Sequence, residues 1–163
     1  MRRELVVGLA LAAVVLAAGL WFVLRVNKGS HMVAEGKIQK VRTLGLADDS
    51  TAVIVDFRLT NPTNFKYMVR EVRVLVDAAG KVHDVEPVAD VDAKALFDGY
   101  PAIGPKYNET LRLRSVVPPG ATQDFMAAIR VEAPIAQVEK WREVKVRIEE
   151  MDGLVTELTE PRP

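Results

Sequence analysis

The chain has 163 residues, no cysteine, two histidines, and 22 basic side chains against 22 acidic ones. Balanced charge supplies no long-range field to gather nucleic acid, so no nucleic-acid partner is expected. Without cysteine there is no disulfide framework, thiolate nucleophile or cysteine-based metal or lipid-anchor site, two histidines are too few for a histidine cage, and no cofactor is expected.

From Leu5 to Leu24 run twenty uncharged residues, all apolar apart from Gly8 and Gly19. As a helix they would be about 30 Å long, the thickness of a bilayer's hydrocarbon core. Arg2 and Arg3 precede the run, Arg25 and Lys28 follow it, and Trp21 and Phe22 stand near its outer end. The run exceeds a normal signal core and continues past the small Ala17-Ala18-Gly19 step. A retained transmembrane anchor over residues 1–28 is therefore expected, a cleaved signal peptide being the alternative. Two positive charges on each side leave orientation to the free amino terminus. That favours a single-pass protein of the cytoplasmic (inner) membrane with its C-terminal domain extracytoplasmic or periplasmic. Gly8/Ala12 and Ala13/Ala17 are small-xxx-small pairs that would let two anchors pack as a weak homodimer. Residues 29–36 read as a linker. Gly29-Ser30-His31-Met32 matches the scar left when thrombin removes an affinity tag, and also a chance flexible junction. On either reading His31 carries no functional weight.

From Val33 the balance shifts to 18 basic and 21 acidic residues. Residues 37–160 form one domain that reads as short strands. Lys37–Leu44 is the first. In Thr51–Thr60, Val53, Val55, Phe57 and Leu59 alternate with Ile54, Asp56, Arg58 and Thr60, the period of a strand with one buried face. Val69–Asp77 follows, and Ala78-Ala79-Gly80 turns it into Lys81–Glu86. Asp90 or Asp92 would cap a helix carrying Val91, Ala95, Leu96 and Phe97 and ending at Gly99. Leu111 and Leu113 alternate with Arg112 and Arg114 in a further predicted strand that stops at Pro118-Pro119-Gly120. Phe125–Val131 is another strand. Ile135, Val138 and Trp141 suit a short helix after Pro134. Glu143–Glu149 then turns at Asp152-Gly153 into Leu154–Thr159. A two-residue turn would set Glu157 opposite Ile148; a three-residue turn that sets Leu158 there is preferred. Seven or eight short strands with one or two short helices predict a mainly all-β fold, an antiparallel sandwich.

Val55-x-Phe57-x-Leu59-Thr60-Asn61, followed by Val116-Val117-Pro118-Pro119-Gly120 and Phe125, resembles the telokin-like, immunoglobulin-fold domains of bacterial membrane-anchored surface proteins. The resemblance implies an immunoglobulin-like sandwich displayed behind an anchor, and it carries no catalytic residue across. Asp84–Asn108 departs from the family's plan as an insertion.

No catalytic set is legible. His83 has no serine partner, since neither Ser50 nor Ser115 has nucleophile-elbow glycines around it, and no phosphate-binding glycine loop occurs. Asp84, Glu86, Asp90 and Asp92 are the candidate metal ligands, four carboxylates within nine residues. Against them, the spacing matches no EF-hand, and Asp90 and Asp92 suit a helix N-terminus. Phe65, Tyr67, Phe97, Tyr100 and Tyr107 crowd the irregular segments. They either close the sandwich ends or form a recognition patch, for which Tyr67, Tyr100 and Tyr107 are the candidates with Arg112 and Arg114 as a polar rim. Asn108-Glu109-Thr110 fits the glycosylation pattern, but no glycan is expected. The expected function is a non-catalytic binding or scaffold module recognising another envelope protein. The alternative is a small-ligand, carbohydrate-binding or enzymatic domain with its site in the 84–108 insertion.

Overall fold

The computed structural model describes residues 14–19, 21 and 33–162. The chain divides into two compact units, Met1–Met32 and Val33–Pro163. In the first, residues 14–19 and 21 are helical. Among the described residues, no helix is long and apolar enough to cross a membrane. This overturns the expected spanning helix over Leu5–Leu24, and with it the single-pass inner-membrane placement. The rest of that run, the small-residue pairs and the junction at residues 29–32 lie outside the described residues.

Strands dominate the second unit. They are β1 (Glu35–Ala47), β2 (Ser50–Thr60), β3 (Tyr67–Ala78), β4 (Lys81–Val85), β5 (Glu109–Thr110), β6 (Val116–Val117), β7 (Thr122–Val131), β8 (Glu143–Glu150) and β9 (Val155–Pro161). Two short helices, α1 (Asp90–Gly99) and α2 (Ile135–Val138), and a 3₁₀ turn at Pro101–Ile103 interrupt them. One sheet has the order β1-β2-β7-β5, the other β4-β3-β8-β9, with β6 paired to β3. The pairs are antiparallel, except that β5 runs parallel to β7 over two residues.

The core lies between the sheets. Val53, Val55, Phe57 and Leu59 of β2 and Ala127 and Ile129 of β7 meet Val72, Val74 and Val76 of β3 and Val144, Val146 and Ile148 of β8. Each fully buried side chain of this kind stabilises the fold by about 1.5–3 kcal/mol, and with no disulfide this packing is the main restraint. Phe57 and Phe125 sit with ring centroids 6.3 Å apart.

Four expectations are corrected. First, β2 does not have one buried face: Ile54 and Asp56, on the outer side, are 0 % and 3 % exposed. The insertion covers that side, Ala93 and Ile103 packing with Ala52, Ile54, Met126 and Ala128, and with Leu96 and Phe97 against them. Second, residues 111–114 form no strand. Leu111 is buried while Leu113 is 62 % exposed, and Arg114 takes a φ of 64°, which turns the chain where a strand would run on. Third, neither Asp90 nor Asp92 caps α1. Ala89 stands at the N-cap with no side-chain bond, and the helix ends through Tyr100 N–H donating to the Leu96 carbonyl. Fourth, Ile148 faces Thr156, and Leu158 faces Val146. The turn is Met151-Asp152-Gly153, closed by Glu150 N–H donating to the Leu154 carbonyl at 2.8 Å. Leu158 keeps its place on the core side because the displacement from the preferred pairing is two residues, which preserves the face.

Two glycines give opposite predictions. A Cβ at Gly36 would stand 2.1 Å from the Arg58 carbonyl oxygen, whereas one at Gly99 would meet nothing within 4 Å. Gly36→Ala should lower stability by about 1–3 kcal/mol, and Gly99→Ala, in the last helical position, should raise it by up to about 1 kcal/mol. Urea unfolding of the two variants checks both signs.

Candidate functional site

The insertion is held to the sandwich by a charged clasp. Asp56 lies mid-strand in β2, out of water, and a carboxylate there requires a paired cation and hydrogen bonds. Arg42, 8 % exposed, supplies the cation from β1. Its Nη2 and Nε reach the Asp56 Oδ2 at 2.8 and 3.2 Å. Nη1 donates to the carbonyls of Ile103 and Pro105, both at 3.0 Å, and the Asn108 amide donates to Asp56 Oδ1 at 2.9 Å. The Phe97 and Tyr107 rings stack on the guanidinium at 5.2 and 5.4 Å. A second tie is Asp90, which accepts from the Thr110 hydroxyl at 2.6 Å and pairs with Lys106 at 3.3 Å. The Thr110 hydrogen bond, then Lys106, holds the Asp90 carboxyl below the ordinary carboxylate range.

Buried Asn61 fixes the far loop. Its amide donates to the carbonyls of Phe65, Val117 and Pro118 at 2.7, 3.0 and 3.2 Å, and its oxygen accepts from the Thr63 N–H and hydroxyl. The loops at 61–66 and 116–121 are thereby locked together.

Between these anchors the chain leaves sheet one after β5 and crosses to β3. Leu111 N–H donates to the Met126 carbonyl at 2.9 Å, Arg114 N–H to the Val69 carbonyl at 2.8 Å, and Val69 N–H to the Ser115 carbonyl at 2.9 Å. Ser115 N–H closes the turn on the Arg112 carbonyl at 3.0 Å, and the Ser115 hydroxyl oxygen accepts the Arg112 N–H at 3.1 Å. Arg112, Leu113 and Arg114 are all exposed at the tip of this tied turn. A left-handed φ at a non-glycine residue costs about 1 kcal/mol or more, and such strain clusters at ligand sites.

Beside the turn the ladder along β3 is interrupted. β6 pairs with Tyr67 and Met68, the turn bonds Val69, and β4 pairing begins only at Val74. Over residues 70–73 this edge of β3 has no neighbouring strand among the described residues. The gap is a groove of about 330 Å³ between Arg70–Val72, Glu86–Ala89 and Leu111–Leu113.

The expected site residues do not converge. Tyr67 is 2 % exposed, its hydroxyl 3.3 Å from that of Thr156, and burial pushes its phenol up, so it cannot belong to an exposed patch. Tyr107 is exposed over Lys40 and Arg42 of β1, while Arg112 borders the groove beside β3, so they stand at opposite margins of the first sheet. Tyr100 is 41 % exposed at the end of α1. Nor do the four acids gather. Asp84 and Glu86 pair with Arg73 at 2.6 and 3.5 Å, Asp90 with Lys106, and Asp92 is exposed on α1. Among the described residues no three His, Cys, Asp or Glu side chains group as a metal site. His83 sits on β4 with its pKa lowered by partial burial and by Lys81. Asn108, half-buried, commits its amide to Asp56. The inner face of the insertion is filled by apolar side chains. Sequence reasoning missed Arg42, Asp56, Asn61 and Leu113; a lone acid in an apolar strand was the signal available for the first pair.

No protein-family model matches the chain, and no curated protein matches it. Among solved structures, a conserved hypothetical protein from Bacillus anthracis is similar at 13 % identity and a TM-score of 0.42, over 81 % of this chain and 92 % of that one. A Bordetella pertussis protein provisionally named ApaA is similar at 10 % identity and 0.41, over 80 % and 94 %. A protein from Archaeoglobus fulgidus gives 8 % and 0.37, over 78 % and 98 %. Likenesses at this level carry no inference about function.

Asp56→Ala should destabilise the domain by roughly 3–5 kcal/mol in urea unfolding, because it strands a buried guanidinium. The Arg42→Met/Asp56→Leu pair should recover most of that loss. A folded-state pKa below the unfolded one means that the Asp90 tie acts above the ordinary carboxylate pKa of about 4 and is lost as pH falls through the lower folded value. Thr110→Val should therefore lower Tm at pH 7, with the gap to the unsubstituted chain narrowing in scans below about pH 4.

Proposed function

We propose that Val33–Pro163 is a non-catalytic protein-binding module that holds its partner at the groove formed by β3, Glu86–Ala89 and the 111–115 turn. The observation that carries this reading is the interrupted ladder at residues 70–73 of β3, beside a tied turn that holds Leu113 62 % exposed. Open strand edges recruit extended segments of other chains, and rigid scaffolds concentrate binding on their loops. Strand order supports the reading. With β1 to β5 taken as A, B, C, C′ and D, and β7 to β9 as E, F and G, the sheets read ABED and C′CFG, as in immunoglobulin-type sandwiches. The parallel β5 departs from that pattern. Tyr100 and Tyr107 offer a second exposed margin to the same class of partner.

Site-specific photocrosslinking tests the proposal. The full chain carrying p-benzoylphenylalanine at Leu113, irradiated in the cells that express it, should yield a discrete heteromeric adduct. The same group at Ala79, in the turn between β3 and β4, should not. Equal adducts from both positions, or none from Leu113, would overturn the reading.

A further inference from the structure

We infer that the occupant of this groove is an extended acidic peptide segment with an apolar side chain between its carboxylates. The inference rests on the groove being the binding site and specifies the chemistry of what enters it.

Charge pairing decides the sign. On the β3 side of the groove the charges sit among one another: Arg70 pairs with Glu149 at 3.1 Å, and Glu71 and Glu86, both at 3.5 Å, share Arg73 with Asp84 at 2.6 Å. Arg112 and Arg114 are different: among the described residues neither has a carboxylate within ion-pair distance. Asp90, the acid whose field Arg112 feels, is already bonded to Thr110 and Lys106. Both guanidinium groups are exposed in the one tied turn beside the groove. Guanidinium forks bind carboxylates in pairs of parallel hydrogen bonds, which gives both strength and direction.

Shape decides the conformation. The gap spans residues 70–73 of β3, about 13 Å of extended chain at roughly 3.3 Å per residue. It is bounded by strand partners on both sides, so a segment laid there continues the ladder from β6 to β4. Pro87 and Val88 on one wall and Leu111 and Leu113 on the other give an apolar side chain a seat. Its neighbours along the strand alternate outward, toward Arg112 at the border of the groove and the exposed Arg114 next along the turn. Backbone pairing supplies affinity and the alternating side chains supply choice, the general logic of strand addition.

Selection from a displayed library of random 12-residue peptides on the full 163-residue chain tests the inference. Enriched sequences should carry two or more Asp or Glu residues flanking an apolar one. A dye-labelled enriched peptide, followed by fluorescence anisotropy, should lose at least about tenfold in affinity when its acids become amides, with the protein unaltered. The same loss is expected from Arg112→Glu and from Arg114→Gly, the second of which suits the left-handed backbone and so removes the charge without endangering the fold. Enriched peptides that lack acids, or whose binding ignores both arginines, would overturn the inference. If such peptides still protect Leu113 from photocrosslinking, the binding-module reading survives alone; if they do not, it falls too. Arginine-dependent binding to phosphatidylglycerol vesicles with no acidic peptide enriched would also overturn the inference, since it assigns the turn to a lipid surface.

Discussion

The structure depends on one strand being buried from both sides. β2 lies in the middle of its sheet, with the second sheet on one face and the insertion on the other. A strand so placed has no water to solvate a charge, yet it carries Asp56. That single carboxylate dictates its surroundings. It needs a cation, which Arg42 supplies across the hairpin, and further donors, which the insertion brings as Asn108. Arg42 in turn needs acceptors for its remaining hydrogens and finds them in the carbonyls of Ile103 and Pro105. A buried pair of this kind contributes little net stability against an apolar replacement. Its effect is geometric: it ties the segment from α1 to β5 onto β1 and β2 through Ile103, Pro105 and Asn108.

That seating determines where the chain next goes. With Asn108 fixed over β2 and Thr110 tied to Asp90, residue 111 emerges at the margin of the first sheet and must cross to β3. The crossing is too short for a strand, so the chain turns tightly, and Arg114 accepts the left-handed conformation that glycine usually takes. The exposed tip at Arg112–Arg114 therefore follows from the clasp, although the hydrogen bonds of the clasp run to Ile103, Pro105 and Asn108 and not to the tip.

How much of this is legible in the sequence varies by element. The apolar alternations in β2, β3, β7 and β8 are long enough to identify the strands and their inward residues, and the Ala79-Gly80 turn follows from its composition. The outer face of β2 is not legible, because Ile54 and Asp56 read as a solvated side when nothing says which segment returns to cover them. The alternation of leucine and arginine at 111–114 imitates a strand; a backbone angle at Arg114, invisible in composition, decides otherwise. Tyr67 looks like a loop aromatic because it follows Asn61–Lys66, yet pairing with Val117 draws it inward. The apolar run at 5–24 has the composition of a membrane span, but the described helical residues do not make one. The acids at 84–92 are close in sequence, but Arg73 on a neighbouring strand takes two of them and Lys106 another. Local spacing conveys what neighbours could do, and long-range partners decide what they do.

The gap in the β3 ladder differs from the other edges of the sandwich. β1 is a long edge strand, but it is broken by bulges at Ile38/Lys40 and Gly45/Ala47 and carries Lys37 and Lys40. β9 ends on a proline, and β4 has only five residues. These are the usual means of discouraging edge pairing. β3 has a bulge of its own between Val69 and Glu71, and the other devices stand on the flanks. Pro87 cannot donate to a ladder, so it stops β4 from extending along β3, and Val88 is drawn instead to the Ala128 carbonyl at 2.8 Å. On the other side the Arg114 turn stops the pairing that β6 begins. Both stops act on the neighbours and, next to the Val69/Glu71 bulge, leave a short edge of β3 between fixed walls. A fold that only needed to close would have run β4 two or three residues further.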